Sequence, residues 1–552
     1  MSPLNVAAHV PDLAARQPLT PAVLCPHGRD AFGRTAYTQY TFQQLNESSD
    51  IIASQLCDWG VMRGMRTVLM VPPSLDFFAL TFALFKIGAV PVIVDPGMGI
   101  RNLGKCLSDA EPAAFIGIPK AHLARRVLGW ARRTLRITVT IGSPRLSTHQ
   151  ISSVSNAIRG RFGQVQPFPV ADVEPLETAA ILFTSGSTGP AKGAVYTHGM
   201  FAAQVEALRE MFKIEPGEID LTTFPLFALF GPALGMTAVI PDMDATRPAR
   251  VNPENIFEAV KTFGVTNLFG SPALLNRVGR AGEGVFLASV RRVISAGAPV
   301  PASVIERIAR MLPEGVQVFT PYGATEALPV AVIGSDEILT ETRFATDKGA
   351  GICIGRPASG MEVSIIAISD EVISHWHDEL PLPVGKVGEI AVKAPWVSPA
   401  YFQKPEATSF AKIADADGTF WHRMGDVGYI DHKGRLWFCG RKSHRVITPS
   451  GTLFTIPCEA VFNAHAGVFR SALVGVHRNH AIEPVLCVER EPDYHDVPEA
   501  QLHDELLKIA AAFEHTRAIR HILFHPAFPV DIRHNAKIFR EKLAVWAAGR
   551  IR

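Results

Sequence analysis

The stretch "AAILFTSGSTGPAKG" spans residues 179–193, and its reading decides the fold. The opening "AAILF" is short and apolar, like a buried strand with a loop delivered at its end. That loop is glycine, hydroxyl and one cation. Glycine turns without a Cβ penalty, so successive N–H groups converge on one point, and such a concavity binds anions. Thr184, Ser185, Ser187 and Thr188 add donors, Gly186 and Gly189 add turns, and Lys192 adds a full charge. Phosphate is the expected guest. A Walker A loop is excluded: it ends Gly-Lys-Ser/Thr, and here Lys192 precedes Gly193. Taken alone, the stretch also reads as a flexible Gly/Ser linker.

Outward from this strand, helical patterns alternate with short apolar runs. "YTFQQLNESSDIIASQLCDWGV" (40–61) opens as a turn and becomes an amphipathic helix. "RTVLMVPPS" (66–74) reads as a strand, "LDFFALTFALFKIGAV" (75–90) as a helix and "VPVIVDP" (90–96) as a strand. Residues 265–278 and 290–312 repeat strand, turn and helix. Such alternation predicts an α/β fold of mainly parallel sheets wrapped by helices. From about 351 to 440 the pattern shifts to short β-runs rich in glycine and proline, which predicts a β-rich subdomain. The expected division is an N-terminal core, 1–440, and a small mobile α+β domain, 441–552. No internal repeat, coiled coil or low-complexity tail interrupts this.

The chain has 552 residues, a length for roughly two to four domains. Lys and Arg number 54 against 52 Asp and Glu, so the basic excess of a nucleic-acid binder is missing. Seven cysteines are scattered and never form C-x-x-C, which argues against a disulfide framework or zinc ribbon and for a reducing cytoplasm. The N-terminal residues lack a basic segment followed by an apolar run, so no signal peptide is expected. Residues 221–241 carry no charge and have the length of a membrane span, but Pro225, Gly231, Pro232, Gly235 and Pro241 break them. A buried strand–loop–helix lining an apolar pocket fits better, with peripheral membrane contact as the other reading.

Three further stretches complete a constellation. "VFTPYGATEA" (318–327) reads as a strand, a tight Tyr-Gly turn, then Thr325 and Glu326. In "HRMGDVGYIDHKGRLWFCGRK" (422–442), Asp426 is expected in a turn and Arg441 after a hairpin. "PVDIRHNAKIFREKL" (529–543) places Lys537 near the C-terminus. Without relatives to compare, Lys537 reads as solvated surface, Tyr322 and Asp426 as turn residues, and Glu326 as the cap of a helix starting at "TEALPV".

In this order and at these separations, the four elements resemble the adenylate-forming superfamily of acyl-CoA synthetases, luciferases and peptide-synthetase adenylation domains, over almost the whole chain. The resemblance implies roles. Thr184, Ser185, Gly186, Ser187, Thr188, Gly189 and Lys192 would hold the β- and γ-phosphates of ATP. Tyr322 would stack on adenine, with Gly297, Ala298 and Pro299 along the purine. Thr325, after Gly323 and Ala324, would contact the α-phosphate, and Glu326 would ligate Mg²⁺, a hard cation suited to carboxylate and phosphate oxygens. Asp426 would accept hydrogen bonds from the ribose, Arg441 would lie at the domain junction, and Lys537 would stabilise the charge built up as carboxylate attacks phosphorus.

Departures from the family pattern narrow the reading. Ser443 and His444 stand where acidic residues are common, in a segment that relatives forming thioesters turn into the active site. Ala228 stands where relatives often have a histidine gating the acyl pocket, and Ala536 precedes Lys537 where glycine is usual. Within the superfamily, "SHRVITPSGTLFTIPCEAVFNAH" (443–465) most resembles the β-lactone synthetases of bacterial long-chain olefin biosynthesis. That implies adenylation of a long-chain 2-alkyl-3-hydroxy fatty acid, then attack by its own hydroxyl, with other enzymes of the hydrocarbon pathway as partners. Phe224, Phe227, Ala228 and Phe230 are candidates for the acyl pocket, and His198 and His444 for the base. A long-chain acyl-CoA synthetase or acyl-AMP ligase is the alternative, and a non-catalytic acyl-binding scaffold the alternative of another class.

Overall fold

A computed structural model describes residues 3–94, 98–151, 165–184, 191–224, 227, 229–478, 481–530 and 538–551. The strand "AAILF" and its loop belong to a seven-stranded sheet. Its strands run, in spatial order, His149–Ile151, Ile137–Ile141, Ala114–Gly117, Arg66–Met70, Val90–Val94, Thr178–Thr184 and Lys192–Thr197. All neighbours are parallel except the last pair, where Thr184 faces Lys192. "AAILF" is therefore a strand, as its apolar run predicts.

Helix Leu75–Ile87 has an apolar surface all round and is buried at every position but Asp76, as such a helix requires. Ser74 caps its start by accepting from the N–H of Phe77. Its one buried cation, Lys86, meets Asp50 at 2.5 Å, with side chains 1% and 3% exposed. A buried charge persists only when paired in this way. Asp50 lies on helix Phe42–Asp58, whose entry is the capping box of Thr41 and Gln44.

A fourteen-stranded sheet carries the rest of the larger body. Pro21–Arg29, Thr237–Val239, Ile219–Thr222, Asn267–Phe269, Arg292–Ile294 and Gln317–Ala324 are parallel neighbours in that order. At Gln317–Ala324 the chain reverses into Ala327–Gly334, and from there the sheet is antiparallel through Ile352–Pro357, Leu436–Arg441, Phe420–Ile430, Gly388–Lys393 and Glu362–Ile366. The strands between residues 351 and 441 all belong to this antiparallel half. The uncharged segment folds as strand Ile219–Thr222, helix Phe230–Leu234 and strand Thr237–Val239. Among the described residues no helix is long and apolar enough to cross a membrane.

The C-terminal part builds its own three-stranded sheet from Val468–Arg478, Ala481–Arg490 and His521–Phe524. Helices Thr455–Asn463 and Glu499–Ala512 bury Phe462, Leu502 and Leu506 with one apolar cluster, and Arg540–Ala548 buries Leu543 and Ala547 in another.

Two local expectations are corrected. Asp426 is not in a turn: it sits within strand Phe420–Ile430, opposite Arg441. "TEALPV" does not start a helix. Pro329 falls where a helix interior would need its N–H, and the β-branched residues after it suit strand Ala327–Gly334.

Candidate active site

The parallel strands end at a cavity of about 550 Å³. Its wall carries polar residues, among them Lys192, Glu326, His422, Arg441 and Lys442. It also carries aromatic ones, among them Phe82, Phe85, Phe201, Phe224, Phe227 and Phe230. Phe227 packs against Phe269 at 4.6 Å and Phe224 at 5.2 Å between ring centroids.

A single segment, residues 398–402, ties the Lys192 and Glu326 motifs together. Phe402 donates its N–H to Gly193 O at 2.8 Å, Val195 donates to Ala400 O at 3.0 Å, and Ser398 donates to Glu326 O at 2.7 Å. Tyr401 is thereby fixed between the two motifs. Its hydroxyl donates to Glu326 Oε1 at 2.6 Å, and Lys192 Nζ lies 4.8 Å from its ring centroid. Burial and the nearby Glu326 raise the Tyr401 hydroxyl well above its ordinary range, so it stays a donor.

A second cluster stands beside it. Tyr322 donates to Asp426 Oδ2 at 2.5 Å, and Arg441 Nη1 lies 3.0 Å from Asp426 Oδ1. Asp426 beside Arg441 pushes the guanidinium up, and burial with Asp426 pushes the Tyr322 hydroxyl up. Gly297, Gly323, Ala324, Thr325 and Glu326 face the cavity, whereas Ala298, Pro299, Tyr322 and Asp426 are not among its wall residues. Tyr196 donates to Thr325 O at 2.5 Å, which holds the turn. Thr184 ends its strand, though its side chain lies outside the described residues, as do Ser185, Gly186, Ser187, Thr188, Gly189, Ala228 and Lys537.

Gly323 marks a close approach. A Cβ there would stand 2.7 Å from Ala327 O and 2.8 Å from a Leu328 methyl. Gly323→Ala is expected to destabilise the protein by about 1–3 kcal/mol, the usual cost of overpacking. Thermal unfolding with and without ATP checks this, and the variant is expected to be stabilised less by ATP than the parent.

The two histidines read from the sequence as candidate bases lie elsewhere. His198 starts helix His198–Phe212 and is fully buried; burial pushes it down to about 4. His444 lies in a short turn, pushed down to about 3 by burial and by Arg540 and Arg441. Neither is in the cavity wall. The wall carries His422 instead, directly across the strand pair from Lys412. Lys412 Nζ is 3.0 Å from His422 Nδ1 and donates to Ser398 O. Sequence reading missed Tyr401, Lys412 and His422. The signal for Lys412 was a charge alternating with the apolar Ile413 in a short β-run, a pattern surface strands share.

The chain matches the model of the AMP-binding enzyme family over residues 12–402. It belongs to that family, and it is an adenylate-forming enzyme that uses ATP. It is 51% identical to the olefin beta-lactone synthetase of Stenotrophomonas maltophilia (strain K279a), over 100% of this chain and 99% of that one. The corresponding protein of Xanthomonas campestris pv. campestris is 50% identical, over 99% and 97%. Among solved structures, the amide bond synthetase McbA from Marinactinospora thermotolerans shares the fold, with a TM-score of 0.78, 22% identity and coverage of 98% and 99%. O-succinylbenzoate coenzyme A synthetase of Bacillus subtilis, in complex with AMP, does so at 0.74, with 18% identity and 97% of both chains covered.

Proposed function

We propose that this chain converts a long-chain 2-alkyl-3-hydroxy fatty acid and ATP into a β-lactone, AMP and pyrophosphate. The observation that carries the reading is full-length identity of 51% to an olefin beta-lactone synthetase. The cavity fits it, because one continuous wall joins phosphate-handling groups to an aromatic lining suited to alkyl chains.

In the first step the substrate carboxylate attacks the α-phosphorus and pyrophosphate leaves. Residues 184–189 and Lys192 hold the β- and γ-phosphates. Tyr322, with Gly297, Ala298 and Pro299, positions the purine; Gly323, Ala324 and Thr325 approach the α-phosphate; Asp426 and Arg441 position the ribose; Lys537 stabilises the developing charge. Among the described residues no three His, Cys, Asp or Glu groups cluster as a metal cage. Glu326 alone fits Mg²⁺, which is held by one or two carboxylates plus phosphate oxygens and keeps several waters. Glu326 Oε1 is engaged by Tyr401, which fixes the carboxylate's orientation. Bound there, Mg²⁺ would neutralise phosphate charge. In the second step the 3-hydroxyl attacks the acyl carbon and AMP departs. An internal nucleophile needs no second substrate and gains effective molarity.

The acyl-CoA synthetase reading differs in one requirement. With a 2-alkyl-3-hydroxy acid, ATP and Mg²⁺, AMP release is expected to proceed equally with and without CoA. Dependence on CoA would establish the rival, and absence of pyrophosphate release with any long-chain acid would establish the scaffold. The acyl wall predicts a further result. Phe227→Trp should shift the preferred chain to shorter acids, at about 0.8 kcal/mol, or roughly fourfold in kcat/KM, per methylene excluded. A chain-length series measures this.

Residues 441–552 act as the moving unit, turning about Lys442 to bring Lys537 to the larger body. Peripheral membrane contact falls on helix Pro119–Leu128 rather than on residues 221–241. There Leu123 and Val127 are 57% and 75% exposed beside exposed Lys120 and Arg126, and no acidic residue occurs between Glu111 and Asp172. Basic residues flanking exposed apolar ones suit an anionic lipid surface. The enzyme works in the cytoplasm alongside the other enzymes of hydrocarbon formation.

A further inference from the structure

We infer that His422, backed by Lys412, accepts the proton of the substrate's 3-hydroxyl as that oxygen closes the lactone ring. The inference rests on the lactone-forming reading above and adds the group that reading lacks. Ring closure forms the bond from O3 to the acyl carbon and breaks the bond from that carbon to the AMP oxygen. The electron pair leaves with AMP, whose phosphate needs no proton. One proton therefore has to leave the 3-hydroxyl, and a group in the cavity wall has to take it. Adenylation has no such need, because a carboxylate attacks without losing a proton.

Among the described wall residues, one imidazole, that of His422, is placed to meet this need. Strands Lys412–Ala414 and Phe420–Ile430 pair antiparallel with Lys412 directly opposite His422. His422 is in the cavity wall, as are Phe410 and Ala411. Its Nδ1 is 3.0 Å from Lys412 Nζ and 3.2 Å from Ala411 O. With Nδ1 as the donor to these two, the lone pair of the neutral ring is on Nε2.

That tautomer needs an unprotonated amine at Lys412, and the surroundings supply one. Among the described residues no carboxylate lies within ion-pair distance of Lys412, and its contacts are Ser398 O, His422 and the face of Phe420. An unpaired buried ammonium is costly. Burial pushes Lys412 down to about 7, with Glu326 opposing, and burial and then Lys412 push His422 well below its ordinary value. The other charges felt at the pair are Glu326, from the turn after Gln317–Ala324, and Lys192, from the neighbouring sheet. A proton arriving at Nε2 releases the Nδ1 proton to the amine, so the charge rests on Lys412 and not on the ring. Lys412 is thus a positioning and proton-storing residue, and His422 the one that touches substrate.

The test reads both half-reactions in one assay with a 2-alkyl-3-hydroxy acid, ATP and Mg²⁺, following pyrophosphate release and the lactone by mass. In His422→Gln, lactone formation is expected to fall at least ~10²-fold further than pyrophosphate release, the scale of a lost general base, and acyl-adenylate should accumulate on quenching. In the parent, the lactone step should rise with pH through about 7, as Lys412 loses its proton. In Lys412→Met that limb should disappear. Folding of both variants is checked by thermal unfolding, where Lys412→Met, which replaces a buried amine without a carboxylate partner by an apolar side chain of similar length, is expected not to lower the transition. Equal losses in both half-reactions, or lactone formed by His422→Gln at the parental rate, would overturn the assignment. A parent that releases pyrophosphate yet yields no lactone would instead overturn the lactone-forming reading.

Discussion

Asp426→Ala is expected to raise the KM for ATP about 10²-fold with a smaller effect on the rate at saturating ATP. The carboxylate is 4% exposed, with one oxygen toward Tyr322 at 2.5 Å and the other toward Arg441 at 3.0 Å. It is the anion that fixes both groups. Hydrogen bonds to a charged partner contribute about 1.5–3 kcal/mol each, and an interaction of about 2.7 kcal/mol is worth 10²-fold. Alanine would remove the acceptor proposed for the ribose hydroxyls, and it leaves Arg441 without the carboxylate that pairs with it. Asp426→Asn, which keeps the shape and loses the charge, is expected to fall between. Pyrophosphate exchange at varied ATP measures both, and an unchanged KM would take Asp426 out of the nucleotide site.

Lys537→Ala is expected to leave ATP binding within a few-fold and to slow adenylation at least ~10²-fold. The attack puts negative charge on phosphorus while the incoming carboxylate still carries its own. A preorganised cation aimed at that charge is worth this much when removed. The described Lys and Arg residues of the cavity wall are already held: Lys192 by a tyrosine ring, Arg441 by Asp426, and Arg423 and Lys442 by Glu389. The proposal assigns the rate effect to a further amine, that of Lys537. Single-turnover pyrophosphate release at saturating ATP tests this, and a parental rate would remove Lys537 from the chemistry.

The fold was legible where one physical signal dominated. The apolar run of residues 179–183 gave a strand, and the uncharged run 77–85 gave a buried helix, because burial on all sides leaves no polar period to misread. The motif around Tyr322 was read as a strand and turn, yet its second half was open to a helical reading that Pro329 excludes. Asp426 was expected in a turn because glycine and aspartate favour turns, but there a strand absorbs Gly425. Tyr401 joins Glu326 across 75 residues of chain, and no local spacing encodes such a contact. Lys412 and His422 escaped for the same reason. Their pairing depends on strand register, and the sequence shows only a lysine and a histidine ten residues apart.

The central claim, that this enzyme activates the carboxylate as an acyl-adenylate and then lets the substrate's own hydroxyl expel AMP, has a direct measurement. A 2-alkyl-3-hydroxy acid carrying ¹⁸O in both carboxylate oxygens is turned over with ATP and Mg²⁺ in the absence of CoA, and both products are weighed. The account predicts one label in the phosphate of AMP and one in the carbonyl of the lactone. AMP free of label, or a lactone retaining both, would contradict it.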